Sequence, residues 1–254
     1  MRRLRYLLLF AVVIGTPIAL ILAFPTSRFL LLGTIRGENF HSDRPVSHWA
    51  YLLDDPNENV RREAAYSLGH MGESSKNAVP DLARKLKDPS ADVRINVSLA
   101  LQKIGPAAGA AVNELAEALT DEHPQVRVNC AMALSRLGHD ARPALPALIK
   151  AMDDKNNLDV VAPFSFSVRQ ICARALGKIG PDAHEAVPAL AEALGDPLWG
   201  TRFQAAYALG EVGPDAKIAL PQLKKIRDED PTEQVRKQAG ETIQALGGKA
   251  RAEG

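Results

Sequence analysis

From about residue 44 onward, apolar and polar positions follow a pattern that returns roughly every 33 residues. Its anchor is a Val-Arg dipeptide, once Thr-Arg: Val60-Arg61, Val93-Arg94, Val126-Arg127, Val168-Arg169, Thr201-Arg202 and Val235-Arg236, with spacings of 33, 33, 42, 33 and 34. Four residues beyond each anchor stands a small residue (Ala64, Val97, Cys130, Cys172, Ala205, Ala239), and eight beyond it a large aliphatic one (Leu68, Leu101, Leu134, Leu176, Leu209, Ile243). Another apolar residue follows at eleven, from Met71 to Leu246. Offsets of 0, 4, 8 and 11 share one stripe of a 3.6-residue helix, which predicts six amphipathic helices with one buried face each. Gly stands one position later, at Gly72, Gly105, Gly138, Gly180, Gly213 and Gly247, and predicts each helix stop through a left-handed C-terminal residue.

A shorter apolar segment precedes each anchor: PVSHWAYLLDD, AVPDLARKLKD, AVNELAEALTD, ALPALIKAMDD, AVPALAEALGD and ALPQLKKIRDE. Pro80, Pro146, Pro188 and Pro221 suit a first helical turn, where a missing amide proton leaves no bond unmade. Each unit therefore reads as two antiparallel helices, and a period this regular signals stacked units rather than a single globule. The expected repeats are about 44–72, 73–105, 106–138, 139–180, 181–213 and 214–247, with a tail at 248–254.

The N-terminus breaks the pattern. Residues 6–24 (YLLLFAVVIGTPIALILAF) carry no charge and follow Arg2, Arg3 and Arg5. At ~1.5 Å per residue such a helix is roughly 28 Å long, enough to cross a bilayer. A cleaved signal peptide is the alternative, but its apolar core is usually about 7–15 residues, and this run ends Leu22-Ala23-Phe24-Pro25 without the usual pair of small residues. The expectation is an uncleaved single-pass anchor: residues 1–5 cytoplasmic by the arginine bias, 25–43 a linker, and the repeats extracytoplasmic, periplasmic if the cell is bacterial.

Composition narrows the chemistry. The 254 residues are 46% hydrophobic and 24% charged. Residues 1–41 hold five Arg and one Glu, so the remainder carries 26 basic and 29 acidic groups. A body of net charge −3 lacks the basic excess that nucleic-acid binding needs, and nucleic acid is not an expected partner. Cys130 and Cys172 are too few for a disulfide framework or zinc module, and they occupy equivalent core positions. The six His residues share no offset and no helical pairing, and are expected at solvated loops and helix ends. No nucleophile with its base, metal constellation or phosphate cradle is present, so no catalytic residue, metal or cofactor is assigned.

The recurring Pro-x-Leu-x-x-x-Leu-x-Asp-x-x-x-x-x-Arg resembles the HEAT repeat, and its Gly-Pro-x-Ala connections resemble the short HEAT-like repeats named after phycobilisome lyases. The resemblance covers about residues 44–247 and implies an all-α, right-handed α-solenoid of six helix pairs. It also implies a ladder between neighbouring repeats, carried here by Asp55/Arg61, Asp88/Arg94, Asp121/Arg127, Asp196/Arg202 and Asp230/Arg236, with each Asp able to cap its second helix. The fourth repeat departs: Asp154 and Arg169 are fifteen apart, through an apolar insertion at 155–167 containing Leu158, Val160, Val161, Phe164 and Phe166. That loop either contacts a partner or folds back on its own repeat.

In such solenoids the second helices line the concave side. Positions two and six beyond each anchor (Arg62, Ile95, Val128, Gln170, Phe203, Lys237; Tyr66, Leu99, Met132, Arg174, Tyr207, Glu241) are the candidates for exposure there. Ile95, Leu99, Val128 and Met132, with Phe203 and Tyr207, form apolar groups, and Asn96, Asn129 and Gln204 beside them could bond a peptide backbone. The expected function is a noncatalytic, membrane-tethered scaffold for a protein partner. The alternatives are an accessory or lyase-like protein that binds a tetrapyrrole or its acceptor protein, as the resemblance implies, and a component of an envelope transport or assembly complex.

Overall fold

The computed structural model describes residues 25–154, 157, 160–161 and 166–248. The run at 6–24, read above as a membrane anchor, lies outside them, as does the tail at 249–254. Among the described residues no helix is long and apolar enough to cross a membrane.

Within the described residues, six antiparallel helix pairs stack into a solenoid. The first helices are α2 (Val46–Leu52), α4 (Val79–Lys85), α6 (Val112–Glu117), α8 (Leu145–Asp153), α10 (Val187–Ala193) and α12 (Leu220–Glu229). The second helices are α3 (Glu58–Met71), α5 (Ala91–Ile104), α7 (Pro124–Leu137), α9 (Val168–Ile179), α11 (Trp199–Val212) and α13 (Glu233–Gly248). Each second helix packs directly along its successor, whereas the first helices touch one another sparingly. A stack whose two rows are spaced unequally bends towards the closer row, so the second helices form the inner face.

Close approach within that inner row depends on small residues at fixed offsets. A Cβ built on Gly69 would lie 3.0 Å from the Ala100 Cα, and one on Gly177 would lie 3.0 Å from the Ala208 Cα. The glycine sits nine residues beyond its anchor and its neighbour seven beyond the next. In repeats two and three the ninth position holds Gln102 and Ser135 instead.

The connections between repeats are turns of 3-10 helix: Gly72–Ala78, Gly105–Ala111, Gly138–Ala144, Gly180–Ala186 and Pro214–Ala219. With three residues per turn, every third side chain faces the same way. Ser75 and Ala78, Ala108 and Ala111, Ala141 and Ala144, Ala183 and Ala186, and Ala216 and Ala219 are accordingly buried. The glycines that open these turns differ from the expected left-handed cap. Gly105 has φ 71° and ψ −136°, a region closed to residues with a Cβ. Gly247 ends nothing, because α13 runs through it.

Residues 25–43, read above as a linker, carry secondary structure. They form α1 (Pro25–Ile35) and, with Arg44–Pro45, a two-stranded hairpin in which β1 (Phe40–His41) pairs with β2 (Arg44–Pro45). Phe29 packs its ring 5.4 Å from His48 and 5.2 Å from Tyr51. The Trp49 indole donates to the His41 carbonyl, and the Ser47 amide donates to Glu38. Stacked repeats need such a cap, because the first repeat has no predecessor to cover its apolar flank. His48 is buried, unlike the solvated histidine expected, and burial followed by the nearby Arg44 charge lowers its pKa.

Two outcomes follow from this packing. Gly177→Val should destabilise the chain by about 1–3 kcal/mol in urea unfolding, because both facing helices are rigid there. Gly109→Ala, with nothing within 4 Å of the added Cβ, should be neutral or slightly stabilising. Because the folded pKa of His48 lies below its ordinary value near 6.5, the unfolded chain binds the extra proton. The cap should keep its full stability above about pH 6.5 and lose it as pH falls below that value. Trp49 emission in a Trp199→Phe background reads the loss, and His48→Phe should reduce it.

Candidate functional site

A ladder of arginines runs from repeat to repeat. Arg61 Nε and Nη2 donate to the two carboxylate oxygens of Asp88, in the next repeat, at 2.8 and 2.9 Å. Arg94 grips Asp121 in the same way and adds Glu122. Arg202 grips Asp230 at 2.6 and 3.0 Å. The remaining amine, Nη1, turns back to the carbonyl of the Asp six residues earlier, as in Arg61 to Asp55 and Arg94 to Asp88. The aspartates do not cap the second helices directly. Each accepts from the amide two residues on, at Asn57, Ser90, His123, Leu198 and Thr232, and so fixes the turn that delivers the helix.

Burial alone would raise the pKa of Asp88 and Asp230. The facing arginines, with the Ser90 and Thr232 amides, outweigh it and hold both carboxyls below their ordinary value. They remain ionised, as ladder rungs and not acids.

The fourth repeat rebuilds its rung from the insertion. Arg127 Nε donates to Asn157 Oδ1 at 2.8 Å, and Asn157 Nδ2 donates to the Ala151 carbonyl. Beyond it, β3 (Val160–Val161) pairs with β4 (Phe166–Ser167). Asn157 escaped sequence reading because nine inserted residues hide its register; its only signal is that an amide can replace one carboxylate oxygen. The rung after the insertion is the loosest, with Arg169 Nη2 3.1 Å from Asp196 Oδ2 and the arginine's Nε lacking a partner.

The inner face divides the candidate residues. Val128 and Asn129 are fully buried, a correction to their expected exposure. Asn129 donates to the Ile95 carbonyl and the Ser98 hydroxyl, so it joins α5 to α7. Asn96 donates to the Asp92 carbonyl one turn back in its own helix. Ile95 and Met132 are half-buried against the core. Leu99, Phe203, Gln204 and Tyr207 are half-exposed. Trp199, which the offsets did not single out, is 55% exposed. It stands four residues before Phe203 and eight before Tyr207, so α11 presents three aromatic rings on one stripe.

Where Gln102 and Ser135 replace the inner-row glycine, the face opens into a cavity of about 360 Å³. Gln102, Met132, Ser135, Arg136, Ile171, Arg174 and Lys178 line it. Gln102 Nε2 donates to the Met132 sulfur, leaving its Oε1 without a hydrogen-bond partner. Larger cavities lie on the outer face: about 780 Å³ beneath the N-terminal cap, and about 730 Å³ between α10 and α12. The carboxylate of Asp54 beside the first is already paired with Arg84 and Lys85.

Among the described residues no three His, Cys, Asp or Glu side chains could hold a metal ion together. Cys130 and Cys172 are free and buried, and burial pushes the Cys172 thiol up to about 12 and Cys130 higher still, which leaves both unreactive at neutral pH.

The HEAT-repeat family matches residues 46–111, 106–163 and 160–244. No curated protein matches the chain. Among solved structures, a designed armadillo repeat protein in complex with peptide (KR)4 aligns with a TM-score of 0.64 at 19% identity, covering 79% of this chain and 99% of that one. An engineered protein aligns at 0.61 and 21% identity, covering 80% and 98%. The complex of CpcE and CpcF of phycocyanin lyase from Nostoc sp. PCC7120 aligns at 0.55 and 26% identity, covering 85% and 82%.

Removing one ladder partner should strand a buried charge. Arg202→Ala, which removes the charge partner of Asp230, 7% exposed in the native stack, should cost about 3–5 kcal/mol. Hydrogen exchange should show α13 losing protection before α3 to α9, since the lost rung joins only repeats five and six.

Proposed function

Because this chain belongs to the HEAT-repeat family, we propose that it is a noncatalytic scaffold that holds a protein segment against its inner face, tethered to a membrane through residues 6–24. One observation carries the reading. The second helices leave Leu99, Phe203 and Tyr207 half-exposed and Trp199 exposed on the row that bends inward, and the same row carries a cavity lined by Gln102, Arg136 and Arg174. Exposed apolar groups of this kind mark contact surfaces, and aromatic rings with few rotatable bonds give up little entropy on binding. The designed armadillo repeat protein of similar fold is in complex with peptide (KR)4, which supports a peptide segment as occupant. Confinement to a membrane would raise the effective concentration of any partner held there. Under the topology read from Arg2, Arg3 and Arg5, the solenoid is extracytoplasmic.

A second reading is supported by the phycocyanin lyase complex: a lyase-like accessory protein that handles a tetrapyrrole or its acceptor. The two readings differ in colour. The scaffold reading expects purified protein to remain colourless after incubation with bilins or haem.

A photo-crosslinking residue placed at Leu99 or Phe203 in intact cells should capture a protein, and one at Lys224 on the outer face should not. Leu99→Asp combined with Trp199→Asp should lower that capture at least ~10-fold with unchanged helicity, because truncated aromatic anchors commonly cost 2 kcal/mol or more. Undiminished capture by the double variant would refute the inner-face reading. Deletion of residues 1–24 should move the protein from the membrane fraction to the soluble one.

A further inference from the structure

We propose that the segment held on the inner face is acidic, with carboxylates spaced every third residue; this rests on the scaffold reading and names its partner class. The second helices of repeats two, three and four each present a cation ten residues beyond their anchor, at Lys103, Arg136 and Lys178, and Arg174 adds a fourth. All four are exposed, and no ion pair joins them to a carboxylate among the described residues. Among the described residues Lys76, Lys150, Lys217, Lys224 and Lys225 also lack an ion pair, but most other arginines are committed to the ladder or to surface pairs, so Arg136 and Arg174 stand out. Arg136, Arg174 and Lys178 converge on one cavity, which Gln102 also lines.

Helix ends attract cations without any ligand, which is the simplest account of Lys103, Arg136 and Lys178. It does not explain the pattern. Repeats five and six carry Glu211 and Ala245 at the same position, and Arg174 lies a full turn before its helix end. Two of the cations are also held in place. The Lys103 ammonium sits 5.9 Å from the Tyr66 ring centre, and that of Lys178 sits 5.8 Å from Tyr207. A neutral ring orients an ammonium group but leaves its charge free for a carboxylate.

Spacing selects the partner. Packed helices lie about 8–10 Å apart, so the row offers one cation per ~8–10 Å. A polyproline-type strand advances ~3.1 Å per residue with three residues per turn, which puts every third side chain on one face at ~9 Å intervals. A chain crossing the helices with carboxylates at i, i+3 and i+6 would match the row. The two residues between each pair would meet Leu99 and Met132. Nucleic acid presents phosphates far more densely than this and would find aliphatic side chains between the charges.

The test uses the full-length protein in detergent micelles and a fluorescein-labelled peptide, (Glu-Pro-Leu)3, read by anisotropy. Saturable binding that weakens as salt rises supports the proposal. A peptide of equal composition with its three Glu contiguous should bind at least ~5-fold more weakly, and one with Lys for Glu should not bind measurably. Arg136→Glu with Lys178→Glu should lower affinity at least ~20-fold, and the milder Lys178→Ala about 3-fold, since both side chains are exposed and fold-neutral. No binding to the native protein, equal binding of the contiguous peptide, or undiminished binding to the charge-reversed variant would overturn the proposal. Tighter binding of a labelled single-stranded oligonucleotide would overturn it in favour of a nucleic-acid partner. Crosslinking from Leu99 in cells separates the two levels: capture that persists in the charge-reversed variant, with no affinity for the peptide, overturns the acidic partner and leaves the scaffold standing.

Discussion

The structure depends on arginines that reach across repeat boundaries. Apolar stripes of Ala, Val and Leu drive the helices together, but burial is non-directional, and such stripes could pack almost as well after a slip of one turn. The bidentate grip of Arg61 on Asp88, or of Arg202 on Asp230, admits one register. The same arginine bonds a backbone carbonyl of its own turn, so each rung fixes both the loop inside one repeat and the position of the next. These partly buried pairs add less to net stability than their short distances suggest, because desolvation offsets the attraction. Their contribution is to specify geometry, and breaking one costs far more than the pair is worth.

Once register is set, the inner face takes its shape from side-chain size at a single offset. Gly69 and Gly177 allow the second helices to touch through their backbones. Gln102 and Ser135 at the same position do not, and the solenoid opens there into the cavity that gathers Arg136, Arg174 and Lys178. A packing choice and a binding feature are thus the same substitution. The N-terminal cap obeys similar logic at the end of the stack. Phe29, the hairpin and the buried ring of His48 close an apolar flank that would otherwise face water, at the cost of keeping a titratable group neutral.

Much of this was legible in the sequence, because a repeat prints each constraint several times. The 33-residue period, the anchor offsets and the six-residue Asp/Arg spacing required no knowledge of the fold. Features that occur once were not legible. Nothing in residues 25–43 repeats, so their helix and hairpin read as a linker. Asn157 lies in a shifted register. The 3-10 connections carry alanines three apart, a signal present in the sequence but masked by the Gly-Pro breaks beside it. The offsets of Val128 and Asn129 match those of half-exposed Phe203 and Gln204, but both are buried, Asn129 by its bonds to the Ile95 carbonyl and Ser98 hydroxyl of α5.

Sequence alone determined that the chain would form paired helices stacked on their neighbours, since a 3.6-residue stripe repeated at a fixed interval can bury its apolar face only against the next copy of itself. The six-residue Asp/Arg spacing is likewise written in the sequence, and the resemblance to HEAT repeats implied that it forms a ladder. Tertiary structure decided which arginine meets which aspartate, which inner-face residues reach solvent, and where the helices part. Those outcomes depend on distances between residues about thirty positions apart, set jointly by the side chains at each boundary, and no single stretch of sequence contains both sides of the contact.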